Sequence, residues 1–593
     1  MGEIDRRPGI SLMNASWISA GPLLVASIGL PLLLALALSL RRLRAFAHAA
    51  APWSALPGLA LTAAPEASVD LPWLLLGMRL ELDAISRPFL LFTALLWLIA
   101  GHYARFYLAR RPLRRFTAFF LATLSGNMGV ILAQDVASFY LFFSLLTFAA
   151  YGLIVHEGGE EARHAGRIYL ILMVIGEVLL SIAFMLAVEA ADALKLDALA
   201  SAIGASGDRS VIVALLLSGF GIKAGALSVH MWLPLAHPVA PTPASAVLSG
   251  VIIKAGVLGW LRFLPLGSAT LPQWGNWCMA AGLGAAFYGA GVGLAQRNPK
   301  TVLAYSSISQ MGSITVLVGL GLAAPSAWPL VLDAILIYAA HHALAKGALF
   351  LGVGVCQRAG EHRYRVFAGL LLPALALAGA PFTSGALAKH ALKEMTLFAP
   401  SPWPETLAVA LPLSAAATAL LLARFLFLCW RQPPGVGDRA LRALEFCWGL
   451  GLLSVALVTG LMFPDASASM MSRYLHPAGL WADLWPLMSG SFVAGLFWHR
   501  AVRSKRRAFL AIPPGDLLAP LEWLALRLWT GSKALSETAL THWWRSLAYW
   551  SRFGRAHAGR LAEGAVRWEF FMQRVSVASI LFLLLLCLFV LAV

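Results

Sequence analysis

The chain has 593 residues, 60% of them hydrophobic and 12% charged, with a formal net charge of +17 at pH 7. So apolar a composition excludes an ordinary soluble domain and reads as an all-α polytopic membrane protein. The positive charge does not point to nucleic acid, because the basic residues lie in short loops between apolar runs instead of in one polar domain.

Counting apolar runs of roughly 20 residues predicts about sixteen spans. They begin near 19–41, 50–65, 88–108, 115–133, 136–155, 166–188 and 210–230. The series continues near 240–262, 276–296, 301–322, 328–355, 366–397, 405–430, 442–463 and 484–499, and ends at 574–593. If the spans alternate, RRLR (41–44), ARRPLRR (109–115), QRNPK (296–300), RAGEHRYR (358–365), the loop 424–442 and HRAVRSKRR (499–507) share one side. The acidic stretch 66–83 and the stretches 189–208 and 464–470 fall on the other. Basic loops stay cytoplasmic, which predicts an outside N-terminus in a bacterial inner membrane. The first span is too long to read as a cleaved signal.

Two places combine a charge with a helix break. Lys223 and Lys254 flank a segment with four prolines between Pro234 and Pro243, and Lys389 ends GAPFTSGALAK (379–389). Each lysine costs on the order of 2.5–3.5 kcal/mol at a helix centre, so buried lysines should face a polar interior and mark an ion path. Paired interrupted helices point to an inverted-repeat transporter with sites near the midplane. The halves are placed at 115–262 and 276–430, after N-terminal helices in 1–114 and before additional spans in 442–499.

HMWLPLAHPVAPTPASAVLSGVIIKAG (230–256), AYSSISQMG (304–312), HHALAKGALFL (341–351) and GAPFTSGALAK together resemble the antiporter-like, proton-conducting subunits of respiratory complex I. The same family includes Mrp cation/proton antiporters and membrane subunits of hydrogenase-4 and formate hydrogenlyase. The resemblance implies a fourteen-helix core with two inverted five-helix repeats, each containing one discontinuous helix. It also implies roles for particular residues. Lys223 matches the lysine of the first broken helix, Lys254 that of the following span, and Lys389 the terminal group of the second broken helix. His342 and Lys346 match the connecting pair, and His230 and His237 the histidines that close the first broken helix, in relay or packing roles. Asp333 is a weaker exit-side candidate.

The physics of such a relay needs no family. A desolvated amine releases its proton more readily, and a nearby carboxylate helps it keep one. Moving one charge therefore loads or unloads the next lysine, and histidine suits the gaps because it titrates near neutrality. The competing reading is that each lysine snorkels to an interface.

One position departs from the family. Where the fifth span usually carries a glutamate, this chain has Ser144, which cannot hold a charge, while the next span carries Glu177 near its centre. A carboxylate at that depth must be protonated or partnered. Glu177 is therefore expected to replace the missing acid and pair with Lys223 or Lys254. The alternative is a neutral acid in a first half that has lost its coupling. Asp83 and Asp135, near span ends, are expected to be ordinary solvated carboxylates.

Leu517, Leu521, Leu524 and Leu528 recur at helical spacing, and Lys533, Arg545, Arg552, Arg555 and Arg560 supply a cationic side. This predicts an amphipathic helix over 514–573 at the cytoplasmic interface, before the anchor at 574–593. It is similar to the lateral helix of a distal complex I subunit, which implies docking on other membrane subunits. Five scattered cysteines, with no CxxC and no nucleotide motif, predict no metal, no cofactor and no redox site of the chain's own.

The leading expectation is a proton-translocating subunit whose energy comes from a soluble redox partner. The alternatives are a Na⁺/proton antiporter subunit, a bicarbonate-uptake membrane subunit working with a metal-dependent soluble partner, or a structural anchor that has lost pumping.

Overall fold

A long apolar run in lipid can satisfy its backbone only by closing its own hydrogen bonds as a helix, and the described residues do so along most of their length. In a computed structural model, residues 20–108, 113–432, 440–503 and 512–518 are described. The chain divides into units 1–514 and 515–593, and of the second only 515–518 are described. The expected lateral helix and terminal anchor therefore lie almost wholly outside the described residues.

The elements begin with α1 (Ala20–Ala37), α2 (Arg44–Ala50) and α3 (Leu56–Leu61), then a hairpin of β1 (Ala67–Leu71) and β2 (Met78–Leu82). Four long helices follow, α4 (Ser86–Tyr107), α5 (Leu113–Leu132), α6 (Val136–Ile154) and α7 (Gly159–Ala191). Next come α8 (Leu196–Ala205), α9 (Arg209–Ala224), α10 (Trp232–Val239), α11 (Thr242–Val247), a π-helical turn at Leu248–Ile252, and α12 (Lys254–Phe263). Then come α13 (Pro272–Leu294), α14 (Pro299–Ala323), α15 (Trp328–Cys356), α16 (Arg363–Ala378), α17 (Ser384–Met395) and α18 (Trp403–Trp430). It is followed by α19 (Leu441–Met462), α20 (Pro464–Tyr474) and α21 (Pro477–Arg503).

Among the described residues, 11 helical stretches are long and apolar enough to cross a membrane. The expected span at 50–65 is not one of them. Pro52 and Pro57 divide it into a 3₁₀ turn at Ala51–Ala55 and the six-residue α3, since proline removes a backbone donor and clashes with the preceding turn. Both lysine-bearing segments are broken as expected, α9 from α10 at Gly225 and α16 from α17 at Gly379. The apolar stretches of α11–α12, α14 and α15 are wholly buried, and these central elements carry Lys254, His342 and Lys346.

The hairpin pairs Ala67 with Leu82 through Leu71 with Met78, and isolated bridges tie Leu80 to Ala133 and Asp135 to Lys195. Asp135 is not the solvated carboxylate expected. It is buried, caps α6 by accepting from the Ser138 amide at 2.8 Å, and accepts from the Arg79 amide at 3.0 Å. Asp83 is likewise engaged, receiving both arms of the Arg262 guanidinium, with Nη2 to Oδ1 at 2.9 Å, and the Gln134 amide at 3.1 Å. The sequence could not show these bonds, because they join segments up to 179 residues apart.

Burial alone would raise the Asp83 carboxyl, but the Arg262 charge and hydrogen bonds from Arg262 and Ser86 hold it down to about 2. A depressed carboxyl contributes stability above its unfolded value of about 4 and loses that contribution as the pH falls. Asp83→Asn is therefore expected to lower the melting temperature at neutral pH. The gap to wild type should close as the pH falls from about 4 toward about 2. A gap unchanged across that window, in melts of the solubilised protein, would contradict the assignment.

Candidate functional site

Lys223 lies in the last turn of α9, and Gly225, at φ +74°, ends the helix in a left-handed conformation that glycine adopts without strain. The carbonyl of Ile222 freed by the break is capped by the Trp232 indole N–H at 2.8 Å. Lys223 is buried; its Nζ donates to Thr147 Oγ1 at 2.7 Å and lies 5.0 Å from the centre of the Phe143 ring. On the preceding turn of α6, Ser144 Oγ donates to Glu177 Oε2 at 2.8 Å, while Glu177 Oε1 has no hydrogen-bond partner among the described residues. Consecutive turns of α6 thus hold an acid from α7 and a base from α9. Glu177 and Lys223 are neighbours across Ser144 and Thr147, without direct ion-pair contact.

Gly256 allows α12 to lie against α9, since a Cβ there would stand 2.5 Å from the Phe220 carbonyl. Immediately before Lys254 the helix opens into its π turn, a feature frequent at functional sites. Lys254 Nζ donates to the Ser249 carbonyl at 2.8 Å and meets His342 Nδ1 at 2.5 Å. One of those two nitrogens must offer a lone pair, so together they hold one proton fewer than two bases could. Ser249 Oγ contacts Ser307 Oγ at 2.8 Å, Ser307 Oγ donates to the Leu303 carbonyl at 3.1 Å, and Lys346 Nζ donates to that same carbonyl at 2.8 Å. Lys254, His342 and Lys346 therefore belong to one buried polar network. Among the described residues, no carboxylate pairs with any of the three.

At the second break, Gly379 has φ +87° and Lys389 reaches back across the gap to donate to the Ala378 carbonyl at 2.6 Å. The ammonium thus caps the negative end of α16. His341 Nδ1 meets Ser384 Oγ at 2.9 Å, linking the doubled histidines of α15 to the helix that carries Lys389. Lys389 and Lys393, one turn apart, line a small cavity with Gln310, Tyr338 and Thr418. Lys393 Nζ in turn lies 3.3 Å from the buried Asp483, which also accepts from the Tyr474 hydroxyl at 2.7 Å.

The sequence-derived residues thus form two clusters. Glu177, Ser144 and Lys223 make the first; Lys254, His342 and Lys346 make the second, with Lys389 beyond it. His237 is buried against Phe350, ring centres 4.5 Å apart, and His230 packs beside Tyr288 and Tyr305. Asp333 is exposed, apart from both clusters. Sequence reasoning missed Thr147, His341, Ser249, Ser307 and Asp483. The doubling in HHALAK was the one local signal for His341; the others are neutral hydroxyls or a lone acid whose partners are distant in sequence. Among the described residues no three His, Cys, Asp or Glu side chains gather closely enough to hold a metal ion.

Residues 133–403 match the family described as NADH:quinone oxidoreductase/Mrp antiporter, transmembrane. The chain is 29% identical over 294 residues to hydrogenase-4 component B of Escherichia coli K12, covering 48% of this chain and 44% of that one. It is 30% identical over 341 residues to a probable K⁺/H⁺ antiporter protein of Rhizobium meliloti, covering 54% of this chain and 33% of that one. The chain thus spans less than half the length of these relatives. A chain in the Mrp complex from Dietzia sp. DQ12-45-1b shares the fold with a TM-score of 0.70 at 21% identity, covering 87% of this chain and 60% of that one.

Proposed function

We propose that this chain is a proton-translocating membrane subunit of a larger redox-driven complex in a bacterial inner membrane, with its N-terminus outside. Protons pass from Glu177 and Lys223 through Lys254, His342 and Lys346 to Lys389. The observation that carries this reading is the buried network joining Lys254, His342 and Lys346 through Ser249 and Ser307. A scaffold gains nothing from three bases buried without a carboxylate, whereas a relay requires groups that can each hold and release a proton. His341 and Ser384 continue the path toward Lys389, and the Lys393–Asp483 pair is placed to accept the charge beyond it. The chain supplies the path; soluble redox subunits supply the energy, and other membrane subunits dock along 514–573.

Proton uptake into vesicles holding the assembled complex tests this directly. Wild type should acidify the lumen when the driving reaction runs, and Lys254→Ala should not. Equal rates would favour a structural anchor. A cation/proton antiport reading is favoured by the oxygens gathered at Ser144, Thr147 and Glu177 and by the likeness to a probable K⁺/H⁺ antiporter protein. Uptake that requires added Na⁺ or K⁺ would select it.

A further inference from the structure

Five phenylalanines, Phe139 and Phe143 of α6, Phe184 of α7, Phe220 of α9 and Phe263 of α12, pack into one cluster beside the Glu177–Lys223 site. Phe139 meets Phe263 at 4.8 Å and Phe220 at 5.9 Å between ring centres; Phe184 meets Phe263 at 4.5 Å, and Phe143 meets Phe220 at 5.6 Å. All five are buried.

The helix directions place this cluster. On α6, Asp135 caps the helix at the hairpin end, and Phe139 and Phe143 come before Ser144 and Thr147. Helix α7 runs the other way, so Phe184, about 10 Å along the axis from Glu177, lies toward the same end. On α9, Phe220 precedes Lys223, and the start of that helix follows α8, whose leading Lys195 bridges to Asp135. On α12, Phe263 adjoins Arg262, which is clamped to Asp83 after the hairpin. Beyond the rings on that side is a polar cavity of about 250 Å³ lined by Arg79, Glu81, Asp83, Lys195, Asp197 and Arg262.

The opposite side of the site is closed differently. Tyr169 donates to the Thr147 carbonyl at 2.8 Å and packs edge-on against Trp232 at 5.3 Å. Both side chains carry a polar hydrogen, and both spend it on backbone carbonyls at the site. On the phenylalanine side the five rings offer water nothing, and the two hydroxyls beside them are engaged with protein: Tyr140 and Ser181 bond each other at 2.7 Å, and Ser181 donates to the Glu177 carbonyl at 2.8 Å. A buried water needs two to four polar partners, and apolar cavities stay dry; apolar constrictions stop ion flow by excluding water.

We infer that the five-phenylalanine cluster is a permeability plug that seals the Glu177–Lys223 site from the hairpin-side cavity, so that protons reach this site only past Tyr169 and Trp232 or laterally from Lys254. This rests on the relay reading above. It adds a fixed barrier, which gives the first half a direction. Ordinary core packing would use the same rings, but removing it would cost stability without opening a route.

Passive proton entry separates the two. The full chain is reconstituted into vesicles loaded with a pH-sensitive dye, the voltage is clamped with potassium and valinomycin, and an inward pH step is applied with no driving reaction. Wild type should be as tight as protein-free vesicles, and Phe220→Leu, which keeps the barrier apolar, should match it. Phe139→Ser with Phe220→Ser should raise entry roughly tenfold or more, and adding Glu177→Gln should return it to the wild-type rate. A folded double-serine variant as tight as wild type would overturn the inference, and so would a leak indifferent to Glu177→Gln. Phe184→Ser, whose ring meets three of the other four, carries the same expectation if the double variant does not accumulate. Driven uptake that depends on Lys254 can survive failure here, so the two readings fail separately.

Discussion

Lys254→Met should abolish driven proton uptake and make the protein harder to unfold. Lys254 is buried, with His342 Nδ1 at 2.5 Å and the Ser249 carbonyl at 2.8 Å, and among the described residues no carboxylate pairs with it. A charged lysine at such depth costs on the order of 2.5–3.5 kcal/mol. Methionine fills a similar volume without that cost, as when well-packed apolar residues replace buried ions. The substitution also removes the partner of His342 Nδ1 and one donor to the Ser249 carbonyl, about 1 kcal/mol each. The balance favours the variant by about 1 kcal/mol, while the relay loses the group that joins its halves. Thermal melting of the purified protein and uptake by the assembled complex would be measured on the same preparation. A variant that melts lower yet still pumps would show that Lys254 is there for packing.

Such a trade between stability and function is partly legible in the sequence. Lys223, Lys254, Lys346, Lys389 and Glu177 stand out because each is a charge inside an apolar run, and glycine and proline mark both breaks. Charge in the wrong solvent is a local signal. The stretch 50–65 misleads for the converse reason: hydropathy sums residues but does not register that Pro52 and Pro57 divide a stretch of that length. The serine bridge from Lys254 to Lys346 is invisible because Ser249 and Ser307 are common in buried helices and meet only when positions 58 apart fold together. Asp83 and Asp135 sit at span ends, where solvent is the default partner. Only the folded chain brings Arg262 of α12 to Asp83 and Arg79 of the hairpin to Asp135.

Moving the acid of the first cluster from α7 to α6 should move its function with it. Ser144 occupies the position where the family resemblance leads one to expect a glutamate, and its hydroxyl donates to Glu177 at 2.8 Å. The next helix thus delivers a carboxylate to the place where α6 carries none. Glu177→Gln retains the shape and a hydrogen bond to Ser144 but removes the charge opposite Lys223, and driven uptake should fall roughly a hundredfold, as for a lost proton-transfer group. Ser144→Glu alone places two carboxylates together, and like charges at one buried site are costly, so that variant should melt lower. Ser144→Glu combined with Glu177→Ser restores one acid and one hydroxyl with their helices exchanged. The new carboxylate stands one turn before Thr147, whose hydroxyl receives Lys223 at 2.7 Å, so uptake should recover well above that of Glu177→Gln. If the exchanged pair is as inactive as Glu177→Gln while folding like wild type, the position of the acid on α7 itself matters, and Glu177 is not a relocated fifth-span glutamate. If Glu177→Gln pumps normally, the first cluster is a neutral packing contact, and translocation begins at Lys254.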